Sequence, residues 1–90
     1  PICVTDDPDG ARARAAQIFE VYGHLPSYRA MLDREGVAGP ADVALVGDEA
    51  TVSASVRRLA EVGVTDFAAA EFGGTADEVR RTRDTLRSLL

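Results

Sequence analysis

The most constraining stretch of the chain runs from Val46 to Phe67, where two glycines bracket a helix and an apolar run begins. Asp48 is placed to cap that helix after Gly47, and Glu49 sits where the positive end of the helix dipole favours a carboxylate. Val52, Val56 and Leu59 recur at helical spacing and predict the buried stripe, and Gly63 supplies the stop. Thr65 to Phe72 then reads as a strand, apolar without interruption through Phe67-Ala-Ala-Ala70. A continuous rather than alternating pattern marks a strand covered on both faces, as in parallel sheets. A helix feeding such a strand is one step of a parallel α/β protein, and that step requires further strands beside it.

The flanking sequence agrees with that reading. Ile2 to Thr5 is a short apolar strand candidate. Asp7 and Pro8 then predict a capped helix start, and Ala11, Ala15, Ile18, Phe19 and Tyr22 form its inner stripe. Gly23 ends that helix. Pro26 opens a second one, with Tyr28, Met31 and Leu32 on one side and Gly36 as its stop. Gly39-Pro40 begins a third element, Ala41 to Val46, ambiguous by composition. Pro40 and Asp42 in a first turn favour a short helix there. Thr75-Ala-Asp-Glu78 has the form of a capping box, and Val79, Thr82, Leu86, Leu89 and Leu90 supply the inner face of the last helix. Two strands can neither close a barrel nor leave a sheet without open edges. The chain, which opens directly on an apolar run at Pro1, is therefore expected to be part of something larger.

Composition narrows the partners. The chain has 90 residues, 46% apolar and 28% charged, with 10 basic against 15 acidic side chains and a net charge of −5. That balance disfavours nucleic acid and anionic membranes as partners. No apolar run approaches a membrane span and no signal-peptide pattern opens the chain, so a cytoplasmic location is expected. Cys3 is the single cysteine, which rules out intrachain disulfides and cysteine-rich zinc sites. No carboxylate or histidine cluster has ligand spacing, so no metal is expected.

Val4-Thr-Asp-Asp-Pro8, Tyr22 with Leu25-Pro-Ser-Tyr28, and Val46-Gly-Asp48 through Gly63-Val-Thr-Asp-Phe67 occur in an order that resembles the tail of luciferase-like monooxygenases. The branch using the deazaflavin coenzyme F-420 is the most similar. The resemblance implies an α/β fold in which residues 1–90 are the C-terminal quarter of a (β/α)8 TIM barrel. The two strands would be its seventh and eighth, residues 7–46 a helical insertion, and residues 47–90 the last helix-strand-helix unit. It further implies a parent oxidoreductase that uses F-420 or FMN to transfer hydride to or from an organic substrate, or to activate oxygen. The coenzyme would be held mainly by earlier strands, so residues 1–90 alone should bind none and be inactive. Their partner would be the rest of the barrel.

In such a barrel the site lies at the carboxyl ends of the strands. That places Asp6, Glu71 and Phe72 on the substrate rim, with Tyr22 and Tyr28 at the pocket mouth. Gly73 and Gly74 would be open enough for backbone amides to approach a coenzyme phosphate. Each has a plainer reading. Asp7 and Asp9 complement a helix start, which leaves Asp6 as the freer carboxylate. Glu71 can pair with an arginine, and Gly73-Gly74 can simply be a turn. Tyr22 and Tyr28 can pack between helices. His24 reads as a loop residue, Cys3 as an inert core thiol, and the arginines of the last helix as a solvated face. The competing class is a non-catalytic α/β interaction module that self-associates with another copy through open strand edges. As a fragment without its neighbouring barrel elements, the chain is expected to expose Val52, Val56, Phe67 and Leu86 as apolar surface.

Overall fold

The computed structural model describes residues 1–90. At its centre is β1 (Ile2–Val4), paired in parallel with β2 (Leu45–Gly47) so that Ile2, Cys3 and Val4 face Leu45, Val46 and Gly47. On the other side of β1, Ile2 makes a parallel bridge to Glu71. The Ile2 N–H donates to the Ala70 carbonyl at 3.0 Å, and the Phe72 N–H donates to the Ile2 carbonyl at 3.3 Å. Across the sheet the order is thus β2, β1 and the Glu71 segment.

Four α-helices surround this sheet: α1 (Pro8–Ile18), α2 (Pro26–Glu35), α3 (Glu49–Glu61) and α4 (Ala76–Ser88). Short 3₁₀ helices at Glu20–His24 and Pro40–Val43 join them. Because side chains alternate along a strand, β1 feeds two separate cores. Cys3 joins Val46, Ala44, Phe72 and the α1 residues Ala11 and Ala15 on one face, with Phe19 against them. Ile2 and Val4 meet Val52 of α3 on the other, with Val56 and Leu86 against them. Ile2, Cys3 and Val4 are completely buried. Where the third segment leaves β1, α4 completes the ladder. The Val4 N–H donates to the Thr82 hydroxyl at 2.9 Å, and that hydroxyl donates to the Glu78 carbonyl at 2.7 Å.

Helix starts follow the sequence closely. Asp7 accepts from the Gly10 N–H, Asp48 from the Thr51 N–H, and Thr75 from the Glu78 N–H. Gly63 takes φ +104° just past α3, a conformation that L side chains rarely adopt. The Val64 N–H there closes back on the Leu59 carbonyl.

Four expectations change. The element expected as a helix over Ala41 to Val46 is helical only through Val43. Ala44 then turns extended and Leu45–Gly47 pairs with β1. Pairing and burial of Val46 override the weak local helix signal, so the stretch read as the end of a helical insertion supplies a strand. Thr65 to Phe72, expected to be a strand buried on both faces, contributes only the Glu71 bridge, and residues 61–71 are exposed. Ile2 is the one residue of β1 that meets it. Ile18, on the helical stripe by spacing, is exposed at the last residue of α1, and Phe19 packs against the core instead. Val52, expected in the exposed apolar surface, is buried against β1. Phe67 is exposed as expected, and Val56 and Leu86 are partly covered.

Truncating Ile2 to Ala should cost about 3 kcal/mol of unfolding free energy, because it opens a cavity under both α3 and α4. Ile18→Ala should change stability by less than about 0.5 kcal/mol. Urea denaturation of the two variants checks the contrast.

Candidate functional site

Ligands of parallel α/β sheets bind outside the carboxyl ends of the strands. Here that end is formed by Thr5 and Asp6 after β1, Asp48 after β2, and Gly73 and Gly74 after the third segment. The starts of α1, α3 and α4 converge on the same end. A hollow of about 380 Å3 opens there, lined by Thr5, Asp6, Pro8, Val46, Gly47, Asp48 and Thr51.

Beside it the carboxylate of Glu78 is held by three donors. It accepts hydrogen bonds from the Thr5 hydroxyl, the Gly74 N–H at 2.9 Å and the Arg14 guanidinium at 3.3 Å. The capping box expected from sequence is therefore shifted by one residue: Thr75 caps the helix, but Glu78 reaches back to Gly74. The Thr5 hydroxyl also accepts from the Asp7 N–H at 3.0 Å, so one hydroxyl links β1, α1 and α4. Arg14 donates to the Phe72 carbonyl at 3.3 Å and lies over the Phe72 ring at 5.9 Å. The Thr5 hydroxyl, with help from the Gly74 N–H and the Arg14 charge, holds the Glu78 carboxyl below its usual range.

A second, more exposed network bridges the strands' ends. Arg81 of α4 donates to Glu49 at 2.7 and 2.9 Å and to Asp6 at 3.0 Å. The paired guanidinium lowers the Glu49 carboxyl to about 2, and its two carboxylate partners raise the Arg81 pKa. The Thr51 N–H lowers Asp48. Burial raises the Cys3 thiol, which keeps it protonated and unreactive at neutral pH.

The residues singled out from sequence do not all meet. Asp6 is at the carboxyl end and open to solvent, tied to Arg81 alone. Glu71 lies level with Ile2, well back from that end, and pairs with Arg83 at 2.9 Å. Phe72 points into the core, edge-on to Phe19 at 5.8 Å, rather than into the hollow. Tyr22 and Tyr28 face each other at 5.0 Å and line a different, apolar hollow of about 320 Å3 that includes Pro1. They lie toward the amino end of β1, away from Asp6. Gly73 and Gly74 are tightly confined: a Cβ at Gly74 would fall 2.7 Å from the Arg14 guanidinium carbon, and one at Gly73 would fall 2.9 Å from the Val79 backbone.

The Gly74 amide already serves a carboxylate, and that negative charge stands where a phosphate would have to sit. The Gly73-Gly74 turn therefore does not fit a coenzyme phosphate in this arrangement. No three His, Cys, Asp or Glu side chains converge to hold a metal ion. The sequence places Thr5 at the rim beside Asp6, but its bond to Glu78, and Arg14 altogether, escaped the reading because the partners are remote. Arg14 lies 58 and 64 positions from Phe72 and Glu78, and only its place off the buried stripe of α1 sets it apart. Comparison with family models, curated proteins and solved structures finds no match.

Glu49 and Glu78 are both lowered from an ordinary value of 4.5, so the unfolded chain takes up protons that the folded one refuses. Both contributions are complete above about pH 5 and are lost as pH falls below about 4.5, that of Glu49 toward about 2. Glu78 should dominate, because the Glu49 pair is solvent-exposed and screened. Glu78→Gln should lower stability at pH 7 by about 2 kcal/mol, typical for hydrogen bonds to a charged group, and flatten the acid slope. Urea denaturation across a pH series reads both effects. Gly74→Ala should move stability the same way by displacing Arg14.

Proposed function

We propose that residues 1–90 form the C-terminal portion of a luciferase-like (β/α)8-barrel oxidoreductase. The parent enzyme would transfer hydride between a reduced flavin or deazaflavin coenzyme and an organic substrate, or activate oxygen with it. One observation carries the reading: Ile2 and Glu71 lie side by side in parallel, with α3 and α4 together on the Ile2–Val4 face. Consecutive barrel strands, with their helices on the outer face, have this relation. The exposed apolar side chains Val62, Val64 and Phe67 beside it also suit a surface that neighbouring elements would cover.

In this reading the coenzyme is held by segments outside residues 1–90, consistent with the engaged Gly74 amide. When bound, it supplies the redox chemistry. Residues 1–90 contribute Asp6 and the adjoining carboxyl-end hollow to the substrate side. Arg81 orients Asp6, and the Glu78 network fixes the strand ends that carry it.

One observation favours the other class. Helices cover both faces of β1, α1 on the Cys3 side and α3 with α4 on the Ile2–Val4 side. A barrel places helices on one side only. This arrangement suits a small open α/β interaction module, in which the α1 side is native cover rather than a stand-in for barrel strands.

Intact mass and coenzyme titration of the native protein decide between them. A polypeptide of roughly 30–35 kDa, the weight of about 250 residues, that binds F-420 or FMN is expected. A native species of 90 residues that binds neither coenzyme would overturn the oxidoreductase reading and leave the module.

A further inference from the structure

Thr65 to Ala69 has no backbone partner. Thr65, Phe67 and Ala69 line an apolar hollow with Leu59 and Leu86, whereas Ala68 and Ala70 line the one that holds Tyr22 and Met31. Side chains that change sides at every residue are characteristic of a strand. Yet no main-chain group from Thr65 to Ala69 bonds to another backbone group, and Ala70 contributes only its carbonyl. Register explains this. Ile2 stands opposite Glu71, so Pro1 stands opposite Ala70, and β1 has nothing to place beside the residues before it.

In line with β1, just beyond Pro1, lies a slot of about 430 Å3. Val43, Ala44 and Leu45 form one flank, Phe67 and Ala69 the other, and Pro1 its end. Its width separates two segments that β1 bridges one step further on, where Ile2 pairs with Leu45 on one side and Glu71 on the other.

We propose that this slot receives a further stretch of β-strand, continuous with β1 and supplied by residues ahead of Pro1 in a longer polypeptide. The proposal rests on the barrel-tail reading, which provides that polypeptide. The incoming stretch is mainly apolar, to match a lining that is apolar apart from Glu35 and Asp42, and parallel to Thr65–Ala70, with the residue before Pro1 opposite Ala69. Its hydrogen bonds are set by those of Ile2. Ala70 and Phe72 turn their main-chain groups toward β1, and in a parallel ladder Ala68 does the same. The residue two before Ile2 accepts from the Ala70 N–H and donates to the Ala68 carbonyl. Phe67 and Ala69 direct theirs to the outer edge.

Residue-resolved amide hydrogen exchange on the native full-length protein tests this, together with its intact mass. Ala68 and Ala70 should be protected by at least about 100-fold relative to unstructured chain, as amides of core strands are. A longer polypeptide in which Ala68 and Ala70 exchange freely would overturn the strand insertion and leave the barrel-tail reading standing. Protection of Phe67 and Ala69 alone would mean that a second copy or another element covers the outer edge, and would overturn the insertion too. A native species of 90 residues would overturn both.

Discussion

β1 is only three residues long, and it is the element every other one depends on. Ile2, Cys3 and Val4 pair with β2 on one side, Ile2 alone bridges the Glu71 segment on the other, and all three are covered by α1 on one face and α3 with α4 on the other. A strand in that position has no exposed backbone to satisfy with water, so each neighbour must supply a partner. Thr82 shows how closely that requirement is met: where the third segment departs, a helical hydroxyl takes up the Val4 N–H. Fixing β1 fixes where Thr5 emerges, and Thr5 in turn positions Glu78, the start of α1 and the turn at Gly74.

Local signals in the sequence were read correctly wherever the physics is local. Asp7, Asp48 and Thr75 cap the helices they were expected to cap, and Gly63 stops α3 by adopting a conformation other residues avoid. What the sequence left hidden depends on distant residues. Leu45–Gly47 becomes a strand only because β1 is there to receive it. Thr65 to Ala69 has a strand's composition and alternation but lacks a ladder, since composition cannot say how far a neighbouring strand extends. At the candidate site, Glu78 was visible as part of a helix start. Its union with Arg14 and Thr5 was not, because three separate segments must fold before the three side chains meet.

The two charged networks at the carboxyl end differ in kind. Arg81, Glu49 and Asp6 form an open cluster whose attraction is weakened by water and salt. Glu78 and Arg14 are largely enclosed, and every lone pair that Glu78 turns inward has a donor. A satisfied, partly buried carboxylate of this kind rigidifies its surroundings and is costly to leave half-paired. It therefore reads as the frame around the hollow, while Asp6, paired with Arg81, stands open to solvent at its edge.

The aromatic side chains are distributed unevenly, and this bears on how the chain can be observed. There is no tryptophan, and both tyrosines, Tyr22 and Tyr28, sit on the same side of the molecule, in contact with each other and, through Phe19, with Phe72. Intrinsic fluorescence consequently comes from the region between α1 and α2 alone. It is blind to α3 and α4, which hold the opposite core. Circular dichroism, by contrast, sums over all four helices. If the α1–α2 region loosens before the rest, the two signals will separate, and the chain carries its own optical label for whether its two cores melt as one.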